Sequence, residues 1–492
     1  MRAVGEICEM KRLGIIKKWL VEWVHPSWSI ILGVIGINAG VVCGIVSKTE
    51  LSATWLIVGI VGIFVAIFVP RRIIMICAVA GGILIGLFRI GIEISGQEVW
   101  QNLIGKEIKI SGIIKDDPDT DDSKTTVKLN KIKLADDNET NLSGTIYIIL
   151  PKNEELKRED EITISGEAKE GFGTFVASMF RPKIIKIKRA GSVLLEIKDK
   201  VASNIREKIE EPEASLGLGY VLGVKSALDP KLEEKLKTVG LTHIVVASGA
   251  NLAILVGVAR KLFGKIARGL AFFGSLVMIG GFIYLAGFSA SMMRAGIVAI
   301  LTLVAWYSGR EVAPIRIILY AAGGTLLYEP MYIIDVGWLL SFAAFFGILV
   351  VGPELTRIFY GKKEPKMIAA TLLESLAAGV MCAPILLFFF GQISLISLLA
   401  NVLILPSIPL AMGLTMLAAI SNIGGYLANL VLKFHVFIIE VLGQQTMFLI
   451  NTETGNCWWF LLYIPIMIWL ACANRRHSRR KRLSGDAQVR AP

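Results

Sequence analysis

Charged residues and clustered metal ligands are scarce in this sequence. Asp, Glu, Lys and Arg make up only 19% of the 492 residues, whereas 54% are hydrophobic, and this balance excludes a soluble enzyme of this size. The four histidines form no H-x-H-x-D-H cluster, which excludes a two-metal hydrolytic site. The six cysteines are scattered, without the paired spacing of a zinc site or a disulfide framework. We therefore expect a polytopic membrane protein that has no metal, no cofactor and no catalytic residues.

Positive charge is present in excess, with 52 Lys and Arg residues against 40 Asp and Glu residues. Much of the surplus lies in short loops and in the tail at residues 475–482, where it indicates topology rather than a nucleic-acid ligand. Apolar runs at residues 28–46, 53–69 and 73–90 are each about long enough to cross a bilayer. A basic segment precedes the first run, so the N-terminus should be cytoplasmic and the third helix should deliver the chain to the outer side.

Residues 100–190 differ from the flanking sequence in carrying frequent charges between short β-branched stretches. This pattern predicts strands rather than membrane helices. Five short strands favour a small closed barrel outside the membrane, with an OB-fold as the leading candidate and another five-stranded sandwich as the alternative. The predicted strands cover residues 107–114, 125–134, 144–150, 160–165 and 183–188.

Three helices should connect this β domain to the second apolar half of the chain. Residues 192–211 carry apolar side chains at helical spacing with Lys and Glu opposite, which predicts an amphipathic helix. We expect that helix to lie along the outer membrane surface or to pack on the barrel. Two further helices are predicted at residues 214–222 and 230–238.

Basic segments divide the second half into groups of membrane-spanning runs. They lie at residues 260–268, 310–316, 357–366 and 475–482, and each can occupy the cytoplasmic side. The chain is predicted to be a mainly α polytopic protein of the cytoplasmic membrane with about twelve transmembrane helices, the β domain outside and both termini cytoplasmic. The predicted domains are three N-terminal transmembrane helices (1–99), the OB-like β domain (100–190), connecting helices (191–238), a second transmembrane domain (239–474) and a basic tail (475–492).

Polar residues interrupt the apolar stretch at residues 239–257. His243, Ser248, Gly249 and Asn251 occur where a lipid-facing helix carries only apolar side chains. Such residues indicate a broken or closely packed helix that faces protein or water, because lipid offers no hydrogen-bond partners. The alternative is a plain structural role, in which Ser248 and Asn251 bond to a neighbouring helix.

Four further polar residues are predicted at or just inside the outer membrane boundary, namely Arg294, Asp335, Gln392 and Asn401. An isolated charge is costly in lipid, so Arg294 and Asp335 should face an aqueous cavity or each other. Pro406 and Pro409 break a nearby apolar run that is too long for one straight crossing. We therefore expect a water-filled vestibule that opens outward; the alternative is that Arg294 and Asp335 only anchor loops at the headgroup level.

Short motifs recur in a fixed order through this half. Residues 240–243 (GLTH) are followed by residues 247–249 (ASG), and the later motifs are Gly287-Phe288, Arg294-Ala295, Gly309-Arg310, Pro330, Asp335-Val336-Gly337, Leu340-Ser341-Phe342-Ala343, Pro384, Phe390-Gly391-Gln392, Ser394, Ala400-Asn401 and Pro406. This ordered set resembles the ComEC-type competence channel family, whose signature begins G-x-x-H-hydrophobic-x-S-G. The order of so many motifs is far more specific than any one of them.

The resemblance implies a channel that passes single-stranded DNA into the cytoplasm during natural transformation. Many members have a histidine at the position of Asn251, so no titratable imidazole is expected there. Many members also continue into a metallo-β-lactamase-like domain, and we expect this chain to be a short form without it. The residues expected to line the path are His243, Ser248, Gly249, Asn251, Arg294, Asp335, Ser341, Gln392 and Asn401.

The implied partners are single-stranded DNA, the lipid bilayer, a separate nuclease, a DNA receptor and a cytoplasmic motor, while homo-oligomerisation stays open. The β domain is interpreted first as a docking or gating domain, because its charges roughly balance and it has few aromatic residues to stack bases. Two rival functions are a secondary transporter for a small anionic solute that uses Arg294, and a membrane enzyme in which Ser248 and His243 act on lipid. The second rival lacks an acid partner and a nucleophile elbow.

Overall fold

The structure is a computed structural model of the 492-residue chain. It describes residues 25, 27–48, 51–69, 71–120, 123–135, 140–152, 156–223, 228, 230–242, 249–311, 313–445, 449–470 and 473. Among the predicted features, His243, Ser248 and the basic tail at residues 475–482 lie outside the described residues.

Helices account for most of the described chain. In order they are α1 (Ser27–Ser47), α2 (Ala53–Phe68), α3 (Met75–Gln101), α4 (Val193–Arg206), α5 (Glu213–Leu222), α6 (Pro230–Val239), α7 (Gly249–Gly264), α8 (Arg268–Ala286), α9 (Ala290–Tyr307), α10 (Pro314–Tyr328), α11 (Val336–Phe346), α12 (Gly352–Tyr360), α13 (Met367–Phe390), α14 (Ile396–Ile404), α15 (Ile408–Ala418) and α16 (Asn422–Gly443).

The strands form one nine-stranded sheet and a separate two-stranded ladder. They are β1 (Glu107–Ile114), β2 (Asp119–Thr120), β3 (Lys124–Leu134), β4 (Asn141–Leu142), β5 (Ile146–Pro151), β6 (Glu161–Glu167), β7 (Lys169–Glu170), β8 (Ala177–Phe180), β9 (Lys183–Lys188), β10 (Gln392–Ser394) and β11 (Leu449–Asn451).

The described residues belong to two compact units. The first comprises residues 1–191 and 316–335, and the second comprises residues 192–315 and 336–492. In the first unit, α1 and α3 pack backbone to backbone through glycines, because side chains there would hold the helices apart. A Cβ atom built on Gly82 would lie 2.0 Å from the carbonyl oxygen of Gly33, and one on Gly40 would lie 2.3 Å from that of Ile83.

The nine-stranded sheet encloses the core of the β domain. Its strand order is β7-β8-β5-β3-β1-β6-β9, with β2 and β4 paired to β3, and among the described strands only β5 and β8 run parallel. Trp100, at the end of α3, is buried in this core and donates its indole N–H to the carbonyl oxygen of Ser143 at 2.8 Å. The prediction of a closed barrel is not confirmed. In the described residues β7 pairs only with β8 and β9 only with β6, so the path of strands stays open.

The second unit has its main core around α5, which is buried along its whole length. Leu432 of α16 and Met412 of α15 belong to this core. The predicted amphipathic helix is present as α4, and its Ile205 joins the same core. Apolar packing rather than sequence contiguity thus ties the connecting helices to the second transmembrane domain.

Eight described helical segments are long and apolar enough to cross a membrane, which makes the chain a multi-pass membrane protein. Two of them are irregular, since a π-helical turn (Gly347–Val351) joins α11 to α12 and a 3-10 turn (Leu405–Ser407) joins α14 to α15. The described chain adds three shorter apolar helices at Ala53–Phe68, Pro314–Tyr328 and Cys457–Leu470. The predicted count of twelve crossings is therefore not confirmed, because helices shorter than the bilayer thickness leave the number of crossings open.

Candidate functional site

Arg294 lies in the second turn of α9, a helix of membrane length. Its Nε donates a hydrogen bond to Ser341 Oγ of α11 at 2.6 Å, and its Cζ atom lies 4.8 Å from the centroid of the Phe345 ring. Ser341 Oγ is also 3.1 Å from Ser291 Oγ, one turn before Arg294. The Ser341 hydroxyl, which Ser291 contacts in turn, and one aromatic face thus fix the direction of the guanidinium group.

No carboxylate neutralises Arg294 within the described residues of the second unit. The sequence explains this lack, because residues 249–307 contain neither Asp nor Glu. A guanidinium group has five N–H donors, of which the Ser341 hydroxyl accepts one. The remaining donors suit a phosphate or carboxylate group, which guanidinium binds through two parallel hydrogen bonds.

Gly249, the first described residue of α7, makes a close approach to this arginine. A Cβ atom built on Gly249 would lie 3.1 Å from Arg294 Nη2 and 3.2 Å from the Cβ of Ala295. Because Gly249 has no side chain, there is space beside α7 for the guanidinium group of Arg294. The structure brings together three of the predicted residues in this cluster, namely Gly249, Arg294 and Ser341.

Asn251 belongs instead to a buried polar network. Its Nδ2 donates to the carbonyl oxygen of Tyr220 at 3.0 Å, and the Tyr220 hydroxyl lies 3.3 Å from His435 Nδ1. His435 Nε2 in turn lies 2.7 Å from Ser407 Oγ. The network connects α5, α7, α16 and the 3-10 turn between α14 and α15, and it confirms that Asn251 bonds to a neighbouring helix.

Gln392 and Asn401 lie on neighbouring elements of the second unit. Gln392 pairs with Asn451 in the β10–β11 ladder and is exposed. Asn401 lies in α14, and its Oδ1 atom is buried without a hydrogen-bond partner in the described part of the chain. Gly240, from the signature, approaches the same region, since its Cβ would lie 3.0 Å from the Cβ of Ser397.

Asp335 lies in the first unit, at the end of a 3-10 turn (Pro330–Ile334), and its backbone N–H donates to the carbonyl oxygen of Tyr332 at 3.0 Å. The expected pairing or shared cavity of Asp335 with Arg294 therefore stays a prediction.

Sequence reasoning missed Tyr220, His435, Ser291 and Phe345. Tyr220 and His435 are 215 positions apart, and no motif joins them. A signal was present for His435, because a histidine inside a helix of membrane length normally faces the protein interior and has a partner there. Ser291 precedes Arg294 by one helical turn, a spacing that places both side chains on one face.

Known proteins are similar to this chain over the segment that contains the ordered motifs. A family model described as "Competence protein" matches residues 220–477. The chain is also 25% identical over 265 residues to "Competence protein ComA" of Neisseria gonorrhoeae, in a match that covers 50% of this chain and 37% of that relative. No solved structure matches the chain. Because the family model covers more than half of the 492 residues and its match includes the signature, the chain belongs to the ComEC-type competence protein family.

Proposed function

We propose that this chain forms a membrane channel that passes single-stranded DNA into the cytoplasm during natural transformation. Family membership and the similarity to a competence protein support a role in DNA uptake. The eight helical segments of membrane length support a multi-pass channel body.

The observation that carries the proposal is the cation at Arg294, which no carboxylate neutralises within the described residues of the second unit. DNA is a polyanion, so a path through the membrane needs fixed positive groups that face the strand. A charge in a membrane helix is retained at a cost of roughly 3 kcal/mol or more, and a passing phosphate offsets that cost. The contacts with Ser341 and Phe345 hold the guanidinium group in one direction, which favours repeated contact with successive phosphates.

In this proposal the remaining predicted residues have different tasks. Asn251 is fully buried and holds the backbone of Tyr220, so it positions the signature segment rather than lining the path. Asn401 offers a buried carbonyl oxygen that has no partner in the described residues. The proposed path is lined by His243, Ser248, Gly249, Arg294, Asp335, Ser341, Gln392 and Asn401, and Asn251, expected in the same set, supports it from the protein interior.

Aromatic residues of the β domain support a further contact with the single-stranded DNA. The rings of Tyr147, Phe172 and Phe175 gather with centroids 5.0 to 5.3 Å apart, and Lys128 Nζ lies 6.0 Å from the Phe175 ring. Phe172 is exposed, and Tyr147 and Phe175 are half-buried beside it. Accessible rings beside a cation can stack bases and hold phosphates. Composition alone favoured a docking or gating role for this domain. The clustering of its few aromatic residues adds a contact with single-stranded DNA to that proposal.

The proposed arrangement in the cell has the OB-like domain (100–190) outside and both termini in the cytoplasm. It retains about twelve crossings, divided among the N-terminal helices (1–99) and the channel domain (239–474). Residues 191–238 connect the OB-like domain to the channel domain, and the tail (475–492) anchors the inner end. A separate nuclease, a DNA receptor and a motor act with the chain, and homo-oligomerisation stays open.

Transformation assays test the proposal. A deletion strain should lose uptake of labelled DNA, and Arg294→Ala should lower uptake roughly tenfold or more, as expected for one lost charge-assisted hydrogen bond. Arg294→Lys should be intermediate, because it keeps the charge and loses the forked donor geometry. Lys363→Ala, which removes an exposed cation, is the control. Normal transformation in the deletion strain, or equal effects of Arg294→Ala and Lys363→Ala, would contradict the proposal.

A secondary transporter for a small anionic solute is the second candidate. The two irregular turns within membrane-length segments favour it, since interrupted helices are typical of substrate sites in transporters. Purified protein in liposomes separates the two functions. Uptake of an anionic metabolite that is unaffected by added oligonucleotide would favour the transporter, whereas a flux carried or blocked by single-stranded DNA would favour the channel.

A further inference from the structure

A second cationic cluster lies at the opposite end of α9 from Arg294. Arg260 at the end of α7 and Arg268 at the start of α8 both contact Trp306 at the end of α9. Trp306 follows Arg294 by twelve positions, which is about 18 Å along a helix. We name Arg260, Arg268, Trp306 and Tyr307 the Arg–Trp cluster.

Both guanidinium groups of the cluster share one aromatic ring. The Cζ atoms of Arg260 and Arg268 lie 4.4 Å and 5.4 Å from the Trp306 centroid, and Arg268 is also 5.7 Å from the Tyr307 centroid. Arg268 donates from Nη2 to the carbonyl oxygen of Trp306 at 2.6 Å. These contacts hold two positive charges close together, which is unfavourable unless an anion lies between or beside them.

No anion within the described protein fills that role. Neither guanidinium group has a carboxylate partner among the described residues, and Arg260 Nε is buried there without a hydrogen-bond acceptor. Lys261, in the last turn of α7, and Lys265, just after its end, are exposed, so they add positive charge rather than neutralise it. Arg268 is exposed, so the N–H donors that it does not use on Trp306 can bind an anion from outside the protein.

The surroundings of the cluster are apolar and open. Leu262, Ile266 and Phe273 are 61%, 74% and 63% exposed, and they flank the two arginines along the sequence. Trp and Tyr at the end of a membrane helix, next to Arg, are typical of the level of the lipid headgroups. A ligand at this place therefore meets cations and hydrocarbon surface together.

We propose that the Arg–Trp cluster binds the phosphate of an anionic phospholipid, whose acyl chains lie on Leu262, Ile266 and Phe273. Basic pockets between membrane helices bind acidic headgroups in this way. The apolar surface favours a lipid over a nucleic acid, because DNA offers no hydrocarbon chain to cover it. This site is separate from the proposed DNA path, and lipid binding there does not depend on whether the chain conducts DNA.

Lipid retention by the full chain tests the site. The protein is purified, stripped of lipid, and placed in bilayers of phosphatidylcholine with or without phosphatidylglycerol, and the bound lipid is counted by native mass spectrometry. Arg260→Gln with Arg268→Gln should lower phosphatidylglycerol retention roughly tenfold or more, as expected for two cations near a headgroup. The control, Lys261→Gln with Lys265→Gln, removes the same charge from the same segment and should have a much smaller effect.

Competition identifies the source of the phosphate. Inorganic phosphate and a single-stranded oligonucleotide are added separately, and neither should displace phosphatidylglycerol from the unmodified chain. Full displacement by either, or equal losses in the arginine and lysine variants, would overturn the proposal. If the double arginine variant does not fold, Arg268→Gln carries the test alone against Lys265→Gln, because both side chains are exposed.

Discussion

The fit between Gly249 and Arg294 leads to a prediction about a single methyl group. In Gly249→Ala the new Cβ would lie 3.1 Å from Arg294 Nη2 and 3.2 Å from the Cβ of Ala295, so the guanidinium group must move. Its hydrogen bond to Ser341 fixes the direction in which it points, and displacement should weaken that bond. We expect DNA uptake to fall several-fold, by roughly the 1 kcal/mol of a typical hydrogen bond, at unchanged expression.

Gly257→Ala is the matched control, because it lies on the same helix and nothing is within 4 Å of its Cβ position. That variant should transform normally, and its helix should be no less stable, since alanine favours helices over glycine. Normal uptake by Gly249→Ala would mean that the close approach has no part in transport.

His435 supports a second prediction at this scale. Replacing it with alanine removes the group that lies between the Tyr220 hydroxyl and Ser407, and leaves the Tyr220 hydroxyl buried and the Ser407 hydroxyl half-buried without that partner. The expected loss is about 1–3 kcal/mol in the free energy of unfolding. Thermal unfolding of the protein in detergent measures it. The control is Phe437→Ala on the same helix, where the side chain is 62% exposed and the change should be small; equal melting temperatures of the two variants would exclude the network as a source of stability.

Positions of polar residues were predictable at this scale, but their partners were not. Arg294 and Asn251 stand out in an apolar sequence, because such residues are rare in lipid-facing helices. Ser341, which binds Arg294, is 47 positions away on another helix, and the two motifs that contain them give no indication of contact. Pairing across such a separation depends on how the helices pack, and helical periodicity alone does not determine that packing.

The packing of α1 against α3 leads to a prediction about a pair of helices. Gly82→Ala would place a Cβ 2.0 Å from the carbonyl oxygen of Gly33, a backbone atom that cannot rotate away. The two helices must then separate, at an expected cost of about 1–3 kcal/mol for overpacking. Thermal unfolding should show the loss. Gly280→Ala on α8, with nothing within 4 Å of its Cβ position, should be neutral or slightly stabilising.

Strands and helices were predicted well wherever periodicity was strong. The bounds of β1 and β9 agree with the predicted strands, and α5 and α6 differ from prediction by one residue at one end. Six short strands were missed, namely β2, β4, β7, β8, β10 and β11. The longest of them is β8, whose residues are buried at three successive positions and therefore show no alternation. Its parallel pairing with β5 also needs a distant connection, which no local turn signal predicts.

For the whole molecule, the count of crossings was the least predictable quantity. Hydropathy finds apolar segments, but it does not decide whether a helix such as α2 or α10 spans the bilayer, since both are shorter than a full crossing. The 3-10 turn at Leu405–Ser407 also leaves the number of crossings undecided, because it divides one apolar run into two helices. Family membership does not determine the number of crossings. Experiments that show on which side of the membrane each loop lies would determine it.

Sidedness is therefore the last prediction. The loop that contains Lys363 is rich in Lys and Arg and should be cytoplasmic, whereas the sheet edge that carries Lys169 should be outside. In a chain whose six native cysteines are replaced, a membrane-impermeant maleimide should label Lys169→Cys in intact cells and Lys363→Cys only after permeabilisation. Labelling of both in intact cells would place the β domain and this loop on one side. An even number of crossings would then separate them, and a DNA path from the β domain to the cytoplasm would need a different arrangement of the helices between.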